Sequence, residues 1–197
     1  MNNTSNVTNT HNGHEFVDLG LPSGALWATC NVGATSPEQA GLYFAFGETE
    51  GFTAEQVTSG VRAFNSESYK ASAISADLTL AQDVAHSYMG GKWRMPTKAE
   101  SKELIGNCGV SWTENYNETG VAGCIFTSKI NGNSVFFPAA GYCLNSSVYE
   151  VGSYGDYWSA SWLSSVDAWC LFFSSRTQYV DLKFRYYGYS VRGVCKR

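Results

Sequence analysis

Charge is scarce in this sequence. Lys, Arg, Asp and Glu make up 15% of the 197 residues, against about 25% in typical soluble domains. Acids outnumber bases 17 to 13, a formal net charge of -4, and a surface of that sign repels a phosphate backbone, so nucleic acid is not an expected partner. Histidine is scarcer still: His11, His14 and His86 lie far apart with no HxH or HxxxH pair, and read as surface or capping residues. No CxxC occurs, which removes the usual thiolate zinc and thioredoxin-like sites. GxSxG, a P-loop and a strand-bound GxGxxG are missing, and the acids are too dispersed to nominate an acid/base pair. Catalysis, metal and cofactor therefore have no foothold in the motifs. No apolar run reaches the length of a membrane span, and the N-terminus carries no apolar signal core, so membrane insertion is not expected.

What is abundant is aromatic and apolar. Aromatics reach 15% and hydrophobic residues 44%, enough for one sizeable core. Tyr and Trp also provide contact area at little entropic cost, a bias shared with paratope-like surfaces. Six scattered cysteines (Cys30, Cys108, Cys124, Cys143, Cys170, Cys195) are expected to be mostly free, buried thiols, because a chain this long folds without staples. Residues 1–13 are polar and read as a disordered lead-in or linker, leaving residues 14–197 as a single domain. After Arg176 the chain carries Lys183, Arg185, Arg192, Lys196 and Arg197 against Asp181 alone, a basic run expected to pair with carboxylates elsewhere.

Period-two patterns dominate the element reading. His14–Leu21 and Ala25–Val32 alternate on either side of Pro22-Ser23-Gly24, and Gly41–Phe46 is a short aromatic strand. Phe52–Thr79 has weak periodicity and reads as a long, partly ordered excursion. Two helices are expected: one near Leu80–Tyr88, ended by Gly90-Gly91, and one starting at Thr97, whose Thr-x-x-Glu spacing to Glu100 forms a capping box. From Cys108 onward strands follow one another, with Asn131-Gly132 at a hairpin tip. This pattern predicts an α+β domain with an antiparallel sheet.

Three stretches carry a family resemblance. They are GHEFVDLGLPSGALWATCNVGA with GLYFAFGET (Gly13–Ala34 and Gly41–Thr49), GGKWRMPTKAESKELIGNC (Gly90–Cys108), and NGNSVFFPAAGY, DYWSASW and GYSVRGV within Asn131–Val194. Together they resemble the Fibrobacter-succinogenes-major-paralogous type of domain found in Bacteroidetes surface and phage proteins. That type is similar to proteins of C-type-lectin fold, including formylglycine-generating enzymes and the variable proteins of diversity-generating retroelements. The resemblance implies a C-type-lectin-like fold with two helices and a twisted antiparallel β-sheet. Trp93–Thr97 and Tyr157–Ser159 would be scaffold, and Gly188–Arg192 the closing strand. The sugar- and calcium-binding motifs of calcium-dependent lectins are absent, and the cysteine context of the oxidases is not recognisable around Cys170 or Cys195.

The implied function is a ligand- or receptor-binding domain of a phage tail or bacterial surface protein, engaging a protein or glycan receptor on a cell surface. A formylglycine-generating-type oxidase and a structural fibre or pilus module are the alternatives. In Ala168–Ser174, Trp169, Leu171 and Phe173 share one face and Cys170, Phe172 and Ser174 the other; if the first set is core, the second is exposed. Ser175–Tyr187 lacks clear alternation and concentrates Arg, Tyr and Phe, types common at binding hot spots. By similarity to the retroelement proteins, the diversified positions would be Leu163, Ser164, Val166, Asp167, Cys170, Phe172, Ser174, Arg176, Tyr179, Asp181, Phe184, Tyr186 and Tyr187. Adenine-directed mutagenesis does not yield Trp, Gln or Lys, so Trp162, Trp169, Gln178 and Lys183 would be invariant.

Overall fold

A computed structural model of the chain describes residues 9–197. The expected lead-in is cut short at its C-terminal end. Asn9–His11 forms strand β1 and pairs antiparallel with β2 (His14–Asp18) across Asn12-Gly13. Both turn residues have positive φ (49° and 80°), which an Asn-Gly pair tolerates and a two-residue hairpin needs. Residues 1–8, the rest of that lead-in, lie outside the described residues.

The expected α+β, C-type-lectin-like class with two helices and one twisted sheet is overturned. Strand accounts for 40% of the structure and helix for 14%, in four sheets of antiparallel strands with three short helices. Those helices, α1 (Ala54–Thr58), α2 (Val84–Met89) and α3 (Lys98–Asn107), hold 5, 6 and 10 residues. None is long enough to form a layer of its own, so the sheets carry the architecture. None is long and apolar enough to cross a membrane either.

The first sheet has the order β1-β2-β3-β12, with β3 at Leu26–Asn31 and β12 at Arg192–Cys195. A second joins β4 (Cys108–Thr113), β5 (Gly123–Ser128) and β6 (Ser134–Pro138). β7 (Tyr142–Leu144) and β8 (Ser147–Tyr149) form a two-stranded ribbon. The last sheet, β11-β10-β9, is built from Tyr154–Trp162 (β9), Asp167–Ser174 (β10) and Gln178–Phe184 (β11). The aromatic strand expected at Gly41–Phe46 is reduced to single bridges, Tyr43 to Phe52 and Phe44 to Tyr189. The closing strand falls later than the resemblance implies, because Gly188, Tyr189 and Ser190 make isolated bridges before β12 begins.

Local chemistry accounts for several boundaries. Thr97 accepts from the Glu100 amide while the Glu100 carboxylate accepts from the Thr97 amide, so α3 starts on the capping box its spacing predicts. Glu100 also takes a two-pronged contact from Arg94 (2.8 and 2.5 Å), which fixes the chain entering the helix. Gly155 of β9 faces Phe173 of β10, whose ring lies 2.0 Å from where a Cβ would stand, so only glycine fits.

Sheet β9–β11 divides two cores. Trp158, Ala168 and Cys170 pack into one with Phe46, Tyr189 and Val191. Tyr157, Leu171 and Phe173 pack into the other with Leu104 of α3, Phe126 and Phe137. A strand buried on both faces loses the usual inside-outside contrast, and β10 is such a strand.

Candidate functional site

The face of β9–β11 opposite α3 brings together five of the thirteen nominated residues, Cys170, Phe172, Ser174, Tyr179 and Asp181. Register sets its rows: Asp156, Phe172 and Tyr179 lie side by side across the three strands, and Trp158, Cys170 and Asp181 form the next row. The Phe172 ring sits between Tyr154 (5.3 Å between centroids) and Tyr179 (5.0 Å), with the Lys183 ammonium 5.6 Å above it. Lys183 also pairs with Asp181 at 3.0 Å.

A second aromatic group continues from the sheet end. Phe184 stacks on Tyr186 at 5.4 Å and meets Tyr187 at 5.8 Å; Tyr187 lies parallel to Tyr142, and Tyr142 to Tyr149. Beside this second group lies a groove of about 250 Å³ lined by Asp167, Leu182, Lys183, Phe184 and Tyr187. Phe184 (43% exposed) and Leu182 (36%) line this groove from one phase of β11, and Tyr179, also 43% exposed, stands on the other phase beside Phe172; exposed apolar groups of this size are of the kind that mark interaction sites. Leu163 and Val166 are exposed in the β9–β10 turn beside the groove.

Two nominated residues are not on the surface. Cys170 is fully buried and Phe172 is only 9% exposed. The pleat does turn them away from Leu171 and Phe173, as alternation requires. That side is covered as well, Cys170 by Trp158 and the first core and Phe172 by the Tyr154 and Tyr179 rings. Trp169, expected in the core, is half-buried, with the Lys98 ammonium 3.1 Å over its ring.

The segment expected to be irregular contains β11, paired with β10 from Gln178 to Phe184. Ser164 has a local task, accepting from the Val166 and Asp167 amides in the turn. Arg176, at the β10–β11 tip, stands at the far end of β10 from Leu163 and Val166. At about 3.3 Å per residue the eight-residue strand separates them by roughly 25 Å. One compact ligand therefore does not touch all thirteen positions.

The basic run does not pair with carboxylates as expected. Arg185, 1% exposed, donates to the Tyr69 hydroxyl and to the carbonyls of Ala71, Ile74, Ser164 and Ser165. Arg192, equally buried, donates to the Asn31 side chain and the carbonyls of Ala28 and Thr29, and lies over the Phe137 ring. Among the described residues, Arg197 with Asp18 alone follows the expectation, while Lys183 pairs with Asp181 of the same run.

Sequence reasoning missed Tyr142, Tyr149, Tyr154 and Asp156. The signal for Asp156 was present, a lone acid in the apolar stretch Gly155–Trp158. For the tyrosines no local signal exists, because β7–β8 reaches the site only through the tertiary fold.

A larger cavity, about 600 Å³, lies elsewhere, between β2, β3, residues 33–37 and the end of α2. Its lining is mostly small residues and glycine, with His14, Glu15 and Cys30 the main chemically active side chains. No group of three His, Cys, Asp or Glu side chains suited to a metal ion occurs among the described residues. The thiols of Cys108 and Cys124 are pushed up by burial to about 11 and about 12, and burial raises those of Cys143, Cys170 and Cys195 as well. Comparison of the chain with protein-family models, curated proteins and solved structures finds no match.

Proposed function

We propose that this chain is a ligand- or receptor-binding domain, of the kind borne by phage tails or bacterial surface proteins, and that it binds through the β9–β11 face and the adjoining groove. The observation that carries this reading is the aromatic group at the end of β11, where exposed Phe184 stacks on half-buried Tyr186 and meets Tyr187, which continues through Tyr142 to exposed Tyr149; Tyr179 adds a second exposed ring on the opposite phase of the strand. A soluble domain does not ordinarily leave so many large rings together on its surface without a partner. The thiols of Cys108, Cys124, Cys143, Cys170 and Cys195 are poor candidates for an oxidase site, because a protonated, enclosed sulfur is a poor nucleophile and metal ligand.

The resemblance to variable proteins of diversity-generating retroelements fits the exposed positions Leu163, Val166, Tyr179 and Phe184 better than the enclosed Cys170 and Phe172. A neighbouring reverse-transcriptase gene, with a near-copy of the Asp156–Arg192 coding segment that differs at adenines, is the genomic observation expected if diversification operates. The functional test is a screen of labelled protein against immobilised bacterial polysaccharides, envelope proteins and whole cells, with a Tyr179→Ala/Phe184→Ala variant in parallel. Specific retention that the variant loses supports the reading. Retention of nothing, combined with concentration-dependent self-association that the variant abolishes, would instead favour a structural fibre or pilus module.

A further inference from the structure

Asp156 is an anomaly within the face just described. It is the third residue of β9, beside Phe172, is 2% exposed, and its Oδ1 is enclosed without a hydrogen-bond partner. A buried carboxylate left in this state is costly when ionised. The charged and titratable groups that act on it come from each neighbouring element. They are Lys183 and Asp181 from β11, Cys170 from β10, Tyr142 from β7, and Tyr189 from the segment before β12. Burial pushes the two tyrosines and Cys170 up, so all three stay neutral near pH 7. Lys183 is the one cation in the group, and it is held at 3.0 Å by the competing carboxylate of Asp181.

We propose that Asp156 is a proton-operated switch beneath the binding face: protonated, it leaves Lys183 on Asp181, and ionised, it draws the Lys183 ammonium inward across Phe172. The inference rests on the reading of this face as the ligand-binding surface, which the movement of Lys183 would reshape. Three observations support it. The enclosed Oδ1 has no donor to stabilise the anion, so the ionised state must recruit one. Lys183 already hangs over Phe172, the residue paired with Asp156, and so lies on the route. Burial also outweighs the pull of Lys183 and lifts the Asp156 carboxyl to about 7, where modest pH changes operate it.

The test needs no ligand. Carboxyl carbon NMR of the full chain, with Asp156 assigned by Asp156→Asn, follows its titration while nitrogen NMR follows the Lys183 ammonium and ring resonances follow Tyr179. The expected result is an Asp156 midpoint near neutrality, mirrored by Lys183 and Tyr179 at the same pH. The Lys183 and Tyr179 responses should be lost in Asp156→Asn, and Lys183→Met should move the Asp156 midpoint upward because it removes the only lowering charge. An Asp156 midpoint in the ordinary carboxylate range would overturn the proposal. So would a neutral midpoint to which Lys183 does not respond. A working switch in a protein that retains no partner in the screen would sink the binding reading and leave the switch standing, so the two failures are distinguishable.

Discussion

Arg185→Met isolates one interaction on which the shape of the binding face depends. The guanidinium is buried and makes five hydrogen bonds, of 2.7 to 3.3 Å, to the Tyr69 hydroxyl and four main-chain carbonyls. Two of those carbonyls, Ala71 and Ile74, belong to the long excursion after Phe52, and two, Ser164 and Ser165, to the β9–β10 turn. One side chain thus ties both to the end of β11, directly beside Phe184 and Tyr186. Methionine keeps most of the apolar stem between Phe46 and Tyr69, so the variant loses the charge and donors more than the packing. Hydrogen bonds to a charged group contribute about 1.5–3 kcal/mol each, and an orphaned buried carbonyl costs about 1–3 kcal/mol. The five share one group and the loops admit water once released, so the terms do not add; a net loss of about 3–4 kcal/mol is expected. Urea unfolding measures that loss, and hydrogen exchange locates it. The Leu78 amide, bonded to the Ala160 carbonyl, should exchange much faster, while Val194, bonded to the Arg94 carbonyl, should follow only the global change. A loss below about 1 kcal/mol, or exchange at Leu78 no faster than at Val194, would refute the role given to Arg185.

Thr97→Ala should cost about 0.5–2 kcal/mol by removing the α3 cap, seen in thermal melts as a fall of a few degrees; an unchanged melt would mean the reciprocal Glu100 contacts suffice. Phe172→Ala should cost about 2–4 kcal/mol in urea unfolding, because its ring is enclosed by Tyr154 and Tyr179; a neutral result would mean those rings collapse into the space. Asp156→Asn should flatten the dependence of stability on pH. With the folded carboxyl raised to about 7 from an ordinary 3.8, the folded state holds the proton more tightly, so the contribution of Asp156 to stability is fully present below pH 4, is lost as pH rises to 7, and levels off above. The three-unit difference corresponds to at most about 4 kcal/mol. Chemical denaturation of wild type and variant from pH 4 to 8 checks this, and parallel curves would contradict it.

What was legible in the residues depended on how local the cause was. The α3 cap is contained within Thr97–Glu100 and could be read without the fold. The phase of β10 could be read as well, since Leu171 and Phe173 do face away from Cys170 and Phe172. Which phase is exposed could not, because alternation names two faces and the cover over each comes from Trp158, Tyr154 and Tyr179 on other strands. β11 went unread because both of its phases carry a large ring, Tyr179 on one and Phe184 on the other, which erases the contrast expected of an edge strand. The Asn12-Gly13 hairpin is a different case: its turn signal was present but hidden in a polar stretch. Arg185 and Arg192 reach carbonyls more than a hundred residues away, and no spacing rule reports such contacts.

The most direct test of the binding face compares affinity and stability in the same variants. Wild type, Tyr179→Ala, Phe184→Ala and, as a distant control, Arg176→Ala would be titrated by biolayer interferometry against whichever polysaccharide or envelope protein the screen retains, with melts recorded alongside. Tyr179 and Phe184 are nearly half exposed, so their truncation should lower the melting temperature by less than Phe172→Ala does, each costing about the 0.5–1.5 kcal/mol of one aromatic pair. If they are hot spots, each should weaken binding about 30-fold, the equivalent of roughly 2 kcal/mol, while Arg176→Ala binds as wild type does. Unchanged affinity in both Tyr179→Ala and Phe184→Ala would contradict the assignment of function to this face.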